Sequence, residues 1–179
     1  MHKSKSISNL TCPIARSLER VGDGWSILIL RDAFYGMTRF DEFQKSLEIA
    51  PNILTRRLTT LVAEGLMERR QYLEKPPRYE YVLTDSGRAF KPIMIALLAW
   101  GNKYFTPDGL SVVLTDLQTG ATVDPVLVDG VSGKPIRGEN YVLAAGPAAS
   151  EGIRKRMAYA AQKRAAPDKK TDSSPEAAA

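Results

Sequence analysis

The sequence predicts an α+β protein: a helical domain that carries one small β-hairpin and is extended by a small C-terminal β-rich appendage. Apolar residues recur at helical spacing over four segments between residues 12 and 64. Two segments of strand-like composition follow and are joined by a Pro-Pro turn. Beyond Phe105, short β-branched runs alternate with turn-rich segments.

The length and composition predict an ordinary globular protein. With 179 residues and 44% hydrophobic content, the chain can form one domain with a sizeable core plus an appendage. No run of about 18 apolar residues is present, so no transmembrane helix and no membrane partner are expected. The N-terminus lacks the apolar segment of a secretory signal. A single cysteine cannot form an internal disulfide, which indicates a reducing, cytoplasmic location.

The positive charge is unevenly distributed along the chain. Residues 1–105 hold 16 basic and 11 acidic side chains, which accounts for the whole net charge of +5. Residues 106–146 hold 2 basic and 5 acidic side chains, and residues 147–179 hold 7 and 4, so these two segments cancel. An excess of cations in one part of the chain favours a surface that binds phosphates, although basic proteins without such a surface are common.

The N-terminal third predicts three helices after a flexible tail at residues 1–11. Pro13 begins the first helix, which places Cys12 at the N-cap position. Trp25–Phe34 is apolar enough to form a buried core helix. Thr38 is a suitable N-cap for a third helix over Arg39–Ser46, whose first turn contains two acidic residues.

The segment Asn52–Glu64 predicts an amphipathic helix that begins after Pro51 and ends at Gly65. At 100° per residue, Leu54, Leu58 and Leu61 share one side. Arg57 points sideways. The opposite side carries polar and basic residues, namely Asn52, Thr55, Arg56, Thr59 and Thr60.

Two predicted strands, Met67–Leu73 and Tyr79–Leu83, follow this helix and flank a tip at Glu74–Arg78. Two helices followed by a β-hairpin are the layout of a winged helix-turn-helix, in which the second helix enters the major groove of DNA. Lys75 and Arg78 are placed to reach the adjacent minor groove. An amphipathic helix by itself more often has an ordinary solvated face, but the order of elements here favours DNA binding. The predicted contacts are Arg39, Asn52, Thr55, Arg56, Thr59, Thr60, Lys75 and Arg78.

The chain after the hairpin predicts a helix that needs a partner. Thr84 caps its first turn, and Pro92 kinks or divides it. Beyond Pro92 the segment IMIALLAWGNKYF is apolar on nearly all sides, so a single chain cannot cover it.

Residues 12–105 resemble the HxlR-type family of bacterial winged-helix regulators. The blocks that match in order and spacing are CPIARSLERVGDGWSILILRDAFYGMTRFDEF, APNILTRRLTTLVAEGLMERRQY, PPRYEYVLTDSGRAF and LLAWG. The resemblance implies a homodimer that binds double-stranded DNA, with Asn52–Glu64 as recognition helix and Met67–Leu83 as wing. It implies a dimer contact made by the N-terminal segment and the helix with Leu97, Leu98, Trp100 and Tyr104.

The predicted appendage covers residues 106–146 and lies outside this resemblance, apart from a similar extension in some longer family members. Strands are expected at Leu110–Leu114, Thr122–Val128 and Tyr141–Ala144, and no internal repeat is evident. Residues 147–179 predict a short basic helix over Glu151–Arg164 and a disordered tail. The acidic residues Asp116, Asp124 and Asp129 are expected in turns and lack the spacing of a calcium loop.

Cys12 allows two interpretations. A helix N-terminus favours the thiolate form of a cysteine, and the resemblance implies that some family members sense oxidants or electrophiles at this place. The alternative is a half-buried cysteine that packs near the dimer contact and does not react. The second interpretation is slightly favoured, because the family keeps Cys-Pro where no sensing is implied.

Nothing in the sequence indicates an enzyme. His2 is the only histidine and lies in the N-terminal tail, which argues against a zinc site and removes the usual general base. Trp25 and Trp100 are expected in the core or the dimer contact rather than in a ligand pocket. No cofactor and no metal are expected, and no effector is identifiable. The sequence and the resemblance therefore predict a homodimeric regulator that acts at a palindromic operator, either as a repressor or as a dual-acting regulator. A protein-interaction module that no longer binds DNA is the alternative.

Overall fold

The computed structural model describes residues 11–138 and 140–165. The predicted N-terminal and C-terminal tails lie almost wholly outside these residues. The chain forms two compact units that divide between Ile136 and Arg137. The domain limits expected at residues 105 and 146 stay predictions. In chain order the elements are α1 (Pro13–Val21), α2 (Gly24–Phe34), α3 (Phe40–Leu47), α4 (Pro51–Ala63), β1 (Met67–Leu73), β2 (Arg78–Leu83), α5 (Asp85–Arg88), α6 (Lys91–Tyr104) and α7 (Glu151–Ala165).

Helices α1 and α2 begin at the caps that the sequence indicates. Cys12 is the N-cap residue of α1, and Pro13 occupies the first turn, where a missing backbone N–H costs nothing. Asp23 caps α2: the backbone N–H of Ser26 donates to its carboxylate at 3.0 Å, and the Ser26 hydroxyl donates at 2.5 Å. The prediction that α2 is a core helix is confirmed, since Ile29 and Leu30 are fully buried.

Helix α3 begins one residue later than predicted, with Arg39 rather than Thr38 as its N-cap. The reason is Glu42, whose carboxylate accepts hydrogen bonds from the backbone N–H groups of Thr38 at 2.8 Å and Arg39 at 2.9 Å. These bonds, the one from Arg39 first, lower the pKa of Glu42 below its ordinary value of 4.5. The Glu42 carboxylate therefore satisfies the backbone N–H groups of Thr38 and Arg39, whereas a Thr38 N-cap would have accepted from N–H groups inside the first turn.

Helix α4 ends at a Schellman motif, as Gly65 predicts. Gly65 has φ +70°, and the N–H of Leu66 donates to the carbonyl of Leu61 at 2.9 Å. The predicted apolar side is confirmed, because Leu54, Leu58 and Leu61 are fully buried. Together with residues of α1, α2, α3, β1 and the start of α6, they form one core: Val21, Ile29, Leu30, Phe43, Ile49, Leu54, Leu58, Leu61, Leu66, Met67 and Phe90.

The hairpin that follows α4 is antiparallel, with Met67 opposite Leu83 and Gln71 opposite Tyr79. Its register is interrupted between Gln71 and Leu73, at the base of the tip Glu74–Pro77. A bridge between Arg39 and Glu80 adds the chain before α3 to the edge of β2. Together, β1, the tip and β2 are the wing of a winged helix-turn-helix, so this predicted fold is confirmed.

Pro92 divides the C-terminal helical segment as predicted. Thr84 caps α5 by accepting a hydrogen bond from the N–H of Gly87 at 3.1 Å, and α6 begins separately at Lys91 with Pro92 in its first turn. Gly87 must be a glycine, because a Cβ atom there would lie 2.0 Å from the carbonyl oxygen of Leu66. None of the 14 residues of α6 is buried. Among the described residues, no helix is both long and apolar enough to cross a bilayer.

The appendage differs from its prediction. Regular strands do not form at Leu110–Leu114, Thr122–Val128 or Tyr141–Ala144. The described part of this region has two isolated bridges instead, Thr115 with Thr122 and Val128 with Pro135. β-branched residues favour strands only where a neighbouring edge supplies hydrogen bonds, and none of these runs is paired in a ladder.

The appendage contains an internal repeat that the sequence interpretation missed. Asp116 and Asp129, thirteen residues apart, each accept hydrogen bonds from a Thr or Ser three residues on and precede a glycine at φ +69° or +68°. The bonds lower the pKa of Asp116, through the Thr119 N–H first, and of Asp129, through the Ser132 hydroxyl first. Both aspartates therefore stabilise turns, as predicted. Asp124 lies in an irregular segment between the two turns, so the expectation of a turn there is wrong.

Candidate nucleic-acid interface

The outer face of α4 comprises Asn52, Thr55, Arg56, Thr59 and Thr60. Four of these side chains are exposed and that of Thr60 is half-buried. They lie on the side of α4 opposite the buried leucines, so packing of the leucines into the core determines which residues face outward.

Six basic residues lie on α4 and the wing, and the structure separates them into two groups. Three of them, Arg57, Arg69 and Arg70, contact acidic or aromatic side chains of the same domain. The other three form no ion pair, hydrogen bond or ring contact through their side chains with any described residue, and all three are exposed: Arg56, Lys75 and Arg78. The unpaired cations are the ones that the sequence predicts to contact DNA.

Arg57 lies at the flank of α4, as the helix angles predict. Its Nε atom lies 3.0 Å from the carboxylate of Asp23. The Nε–H bond of Arg57 is not directed at a carboxylate oxygen, so the contact is an ion pair without a hydrogen bond from Nε. Arg57 therefore connects α4 to the start of α2, and its charge is partly neutralised before any ligand approaches.

The other two arginines of the wing, Arg69 and Arg70, contact side chains of the wing itself. The Arg69 guanidinium lies 3.5 Å from the centre of the Tyr79 ring on the neighbouring strand. Arg70 pairs with Glu68 on the same face of β1. Arg39, a predicted DNA contact at the start of α3, lies 4.9 Å from the centre of the Tyr72 ring. A cation over an aromatic ring keeps its charge but loses rotamer freedom, so Tyr72 holds Arg39 against the wing.

Tyr72 is a residue that the sequence interpretation missed. It is exposed and lies where β1 approaches the tip. Its signal in the sequence is weak, because a tyrosine in a strand next to a turn is common. Only the bridge between Arg39 and Glu80 brings the start of α3 beside the wing and so places Arg39 near Tyr72.

The polar groups on the outer face of α4 are partly engaged by the helix itself. The hydroxyl groups of Thr55, Thr59 and Thr60 donate to the carbonyl oxygens of the residues four positions earlier, at 2.8, 2.8 and 3.0 Å. The side-chain oxygen of Asn52 accepts a hydrogen bond from the Ile53 N–H at 2.9 Å. Arg56 is the one residue of this face whose side chain makes no hydrogen bond to any described residue.

The comparisons with known proteins identify the family to which this chain belongs. The family model for the HxlR-like helix-turn-helix matches residues 20–109, which include α2 to α6 and the whole wing. The chain belongs to the HxlR-like helix-turn-helix family. Within this family it is 37% identical over 135 residues to Rv3095 of Mycobacterium tuberculosis, an uncharacterised HTH-type transcriptional regulator, a match that covers 75% of this chain and 85% of the relative.

Two solved structures extend the similarity beyond the family model. PA1607, a putative transcription factor by its description, shares 43% identity and superposes with a TM-score of 0.71 over 79% of this chain and 99% of its own. PA1374 of Pseudomonas aeruginosa, described in the same way, shares 50% identity with a TM-score of 0.61 over 81% and 99%. Both matches are longer than the family model's, so these proteins resemble the HxlR-like chain in more than its winged helix.

The dimer contact expected of an HxlR-like protein falls on surfaces that one chain leaves exposed. Ile14 and Leu18 of α1 are exposed. On α6, Leu97, Trp100 and Tyr104 are exposed and Leu98 is half-buried. The structure thus leaves every predicted dimerisation residue outside the core.

The two tryptophans are not core residues, which corrects one of the two expectations for them. Trp25 is 37% exposed and Trp100 is 56% exposed. Trp100 packs edge-on against Phe105 at 4.8 Å and lines an open cleft of about 700 Å³ between α6 and the appendage. Their expected place in a dimer contact stays a prediction.

Cys12 is half-buried at the N-terminus of α1, and its thiol makes no capping hydrogen bond to the helix. Among the described residues, no group of three or more His, Cys, Asp or Glu side chains is arranged to hold a metal. Both interpretations of Cys12 therefore stay predictions.

Proposed function

We propose that this HxlR-like chain is a DNA-binding transcriptional repressor that acts as a homodimer on a palindromic operator. The observation that carries the proposal is the separation of the cations on α4 and the wing. Arg56, Lys75 and Arg78 are unpaired and exposed, whereas Arg57, Arg69 and Arg70 are engaged inside the domain. Unpaired guanidinium and ammonium groups are the ones that can replace counterions on phosphates or donate to base edges.

The exposed apolar surface of α6 is the reason for proposing a dimer. A 14-residue helix with exposed Leu97, Trp100 and Tyr104 and no buried residue leaves an apolar surface that water disfavours. A second copy that covers α6 and the exposed Leu18 of α1 would bury this apolar surface in a two-fold symmetric contact. Such a dimer presents two identical α4 helices, and symmetric helices select a palindromic sequence. Repression is proposed because a dimer bound to the operator would cover the DNA there.

The test of DNA binding is selection from a random duplex pool with the purified full-length chain. We expect enrichment of a palindrome with half-site centres about 34 Å, one helical turn, apart. The logarithm of the affinity for the selected DNA should fall linearly with the logarithm of the salt concentration. A pool without enrichment at low salt would overturn the proposal, and salt-independent binding to a protein partner would favour the interaction module instead.

The dimer has a separate test. Leu97→Glu should convert the dimer to a monomer in sedimentation equilibrium, because it places a charge in the proposed contact. Leu117→Glu is the matched control, since Leu117 is 99% exposed on a turn of the appendage. A dimer that survives Leu97→Glu, or a wild-type monomer, would contradict the proposed contact.

A further inference from the structure

We propose that the outer face of α4 reads a thymine beside a guanine, with Arg56 contacting the guanine and the methyl groups of Thr55 and Thr59 contacting the C5-methyl of thymine. The inference rests on the proposed function and specifies which bases the same surface recognises. Three observations carry it: the engaged threonine hydroxyls, the engaged Asn52 oxygen and the unpaired Arg56.

The threonine hydroxyls determine what these side chains can offer. The hydroxyl hydrogen of Thr55 donates to the Pro51 carbonyl, and that of Thr59 donates to the Thr55 carbonyl, both at 2.8 Å. A phosphate oxygen can only accept hydrogen bonds, so a threonine whose donor is engaged gains nothing from it. The remaining exposed atoms are the methyl group and the oxygen lone pairs. In the major groove, a methyl group is complementary to the thymine methyl.

Asn52 is restricted in a similar way. Recognition of adenine by an asparagine needs its oxygen to accept from N6 while its nitrogen donates to N7. The Asn52 oxygen already accepts from the Ile53 N–H at the start of α4, at 2.9 Å. Its amide nitrogen remains available, and near a helix N-terminus a donor of this kind suits a phosphate. Asn52 is therefore a positioning contact rather than a reader of adenine.

Arg56 supplies the remaining specificity. It is exposed and unpaired among the described residues, and its fork of donors matches the O6 and N7 acceptors of guanine. Residues three and four apart on a helix are neighbours, so Thr59 lies beside both Arg56 and Thr55. One guanine and an adjacent thymine can then be contacted together from a single face.

The test uses the operator selected by the full-length chain and replaces each thymine in turn by uracil, which removes only the C5-methyl group. We expect one or two positions per half-site, next to a guanine, where the replacement weakens binding roughly fourfold, the value of one buried methyl-sized group. Equal affinity for every uracil-substituted operator would overturn the inference while leaving the proposed function intact. A chain that selects no DNA would overturn both.

Two matched variants separate the methyl from the hydroxyl. Thr59→Val keeps a methyl group and loses the hydroxyl, whereas Thr59→Ser keeps the hydroxyl and loses the methyl, and all three residues have similar helix propensity. We expect Thr59→Val to retain the discrimination between thymine and uracil and Thr59→Ser to reduce it at the contacted position, where only the Thr55 methyl group remains. The reverse pattern would show that the hydroxyl reads the base and would contradict the inference.

Discussion

The guanidinium of Arg57 in α4 lies 3.0 Å from the carboxylate of Asp23, which also caps α2. Arg57 thus connects α4 to α2, whereas the preceding residue, Arg56, pairs with no described side chain. Two adjacent arginines have opposite roles because they lie about 100° apart around the helix. One side faces the domain and the other faces outward.

Asp23→Ala should lower the free energy of unfolding by about 1–2 kcal/mol, the usual effect of removing an N-cap side chain. The variant loses the hydrogen bonds from the Ser26 N–H and hydroxyl and the contact with Arg57. Urea unfolding followed by circular dichroism measures it. The control is Asp41→Ala, an exposed residue in the first turn of α3, which should have a smaller effect. An unchanged midpoint for Asp23→Ala would contradict the capping role.

Arg56→Ala and Arg57→Ala form a matched pair. Arg56→Ala should weaken binding to the selected operator by about 1–3 kcal/mol and relax the preference at one base, with little change in stability. Arg57→Ala should lower stability by less than about 1 kcal/mol, as for a partly exposed ion pair, and leave the base preference unchanged. Fluorescence anisotropy measures the DNA binding of both variants, and urea unfolding measures their stability. Equal losses of base preference would mean that the outer face of α4 is assigned wrongly.

Arg78→Ala should weaken DNA binding almost equally for all sequences. Arg78 is exposed at the start of β2, where an unpaired guanidinium is placed for phosphates or the minor groove. The slope of log affinity against log salt should fall by about 1 in the variant. Arg70→Ala is the control, because Arg70 already pairs with Glu68 and should contribute less to the slope. A larger change for Arg70 than for Arg78 would reverse the proposed order.

Stability should decrease in acid through Glu42. The backbone N–H groups of Arg39 and Thr38 bind its ionised carboxylate and lower its pKa below 4.5. The folded state therefore gains from the charged form above the unfolded-state value, and this gain is lost as the pH falls through the lowered pKa. Glu42→Gln should be less stable than wild type at pH 7, and the difference should narrow below about pH 4.5. Urea midpoints at several pH values test this, and a difference that does not change with pH would exclude the role.

Cys12→Ser should leave dimerisation and DNA binding unchanged, with or without peroxide. The expectation follows from the interpretation of Cys12 as a half-buried residue that packs near the dimer contact and does not react. Anisotropy titrations with the selected operator, before and after oxidant, compare the two proteins. Loss of binding by the oxidised wild type, but not by the serine variant, would establish the sensor interpretation instead.

Much of the winged helix was predictable because its signals are local. Pro51 and Gly65 mark the ends of α4, and the spacing of its leucines identifies the buried side. The aspartate turns of the appendage were also local signals: an Asp, three residues before a Thr or Ser and four before a glycine, occurs twice. The repeat is short, and the β-branched residues between its two turns are typical of strands.

The strands of the appendage could not be decided locally. Residues such as Val112, Val126 and Val142 have high β propensity, but a strand exists only when another edge pairs with it. In the described chain only the wing provides a continuous pairing, between β1 and β2. The structure of residues 106–146 therefore depended on the relative positions of segments, which composition does not contain.

Local sequence signals are enough to specify the helices of the winged domain, the wing and the side of α4 that faces the core. Helical period, caps and turn residues act within a few positions of one another. Only the tertiary structure decided which cations stay free: Arg57 is engaged by Asp23, 34 positions away, and Arg69 by Tyr79 across the hairpin. The charge of a side chain follows from its residue type. Whether that charge is paired depends on the fold, because pairing requires two side chains to meet in space.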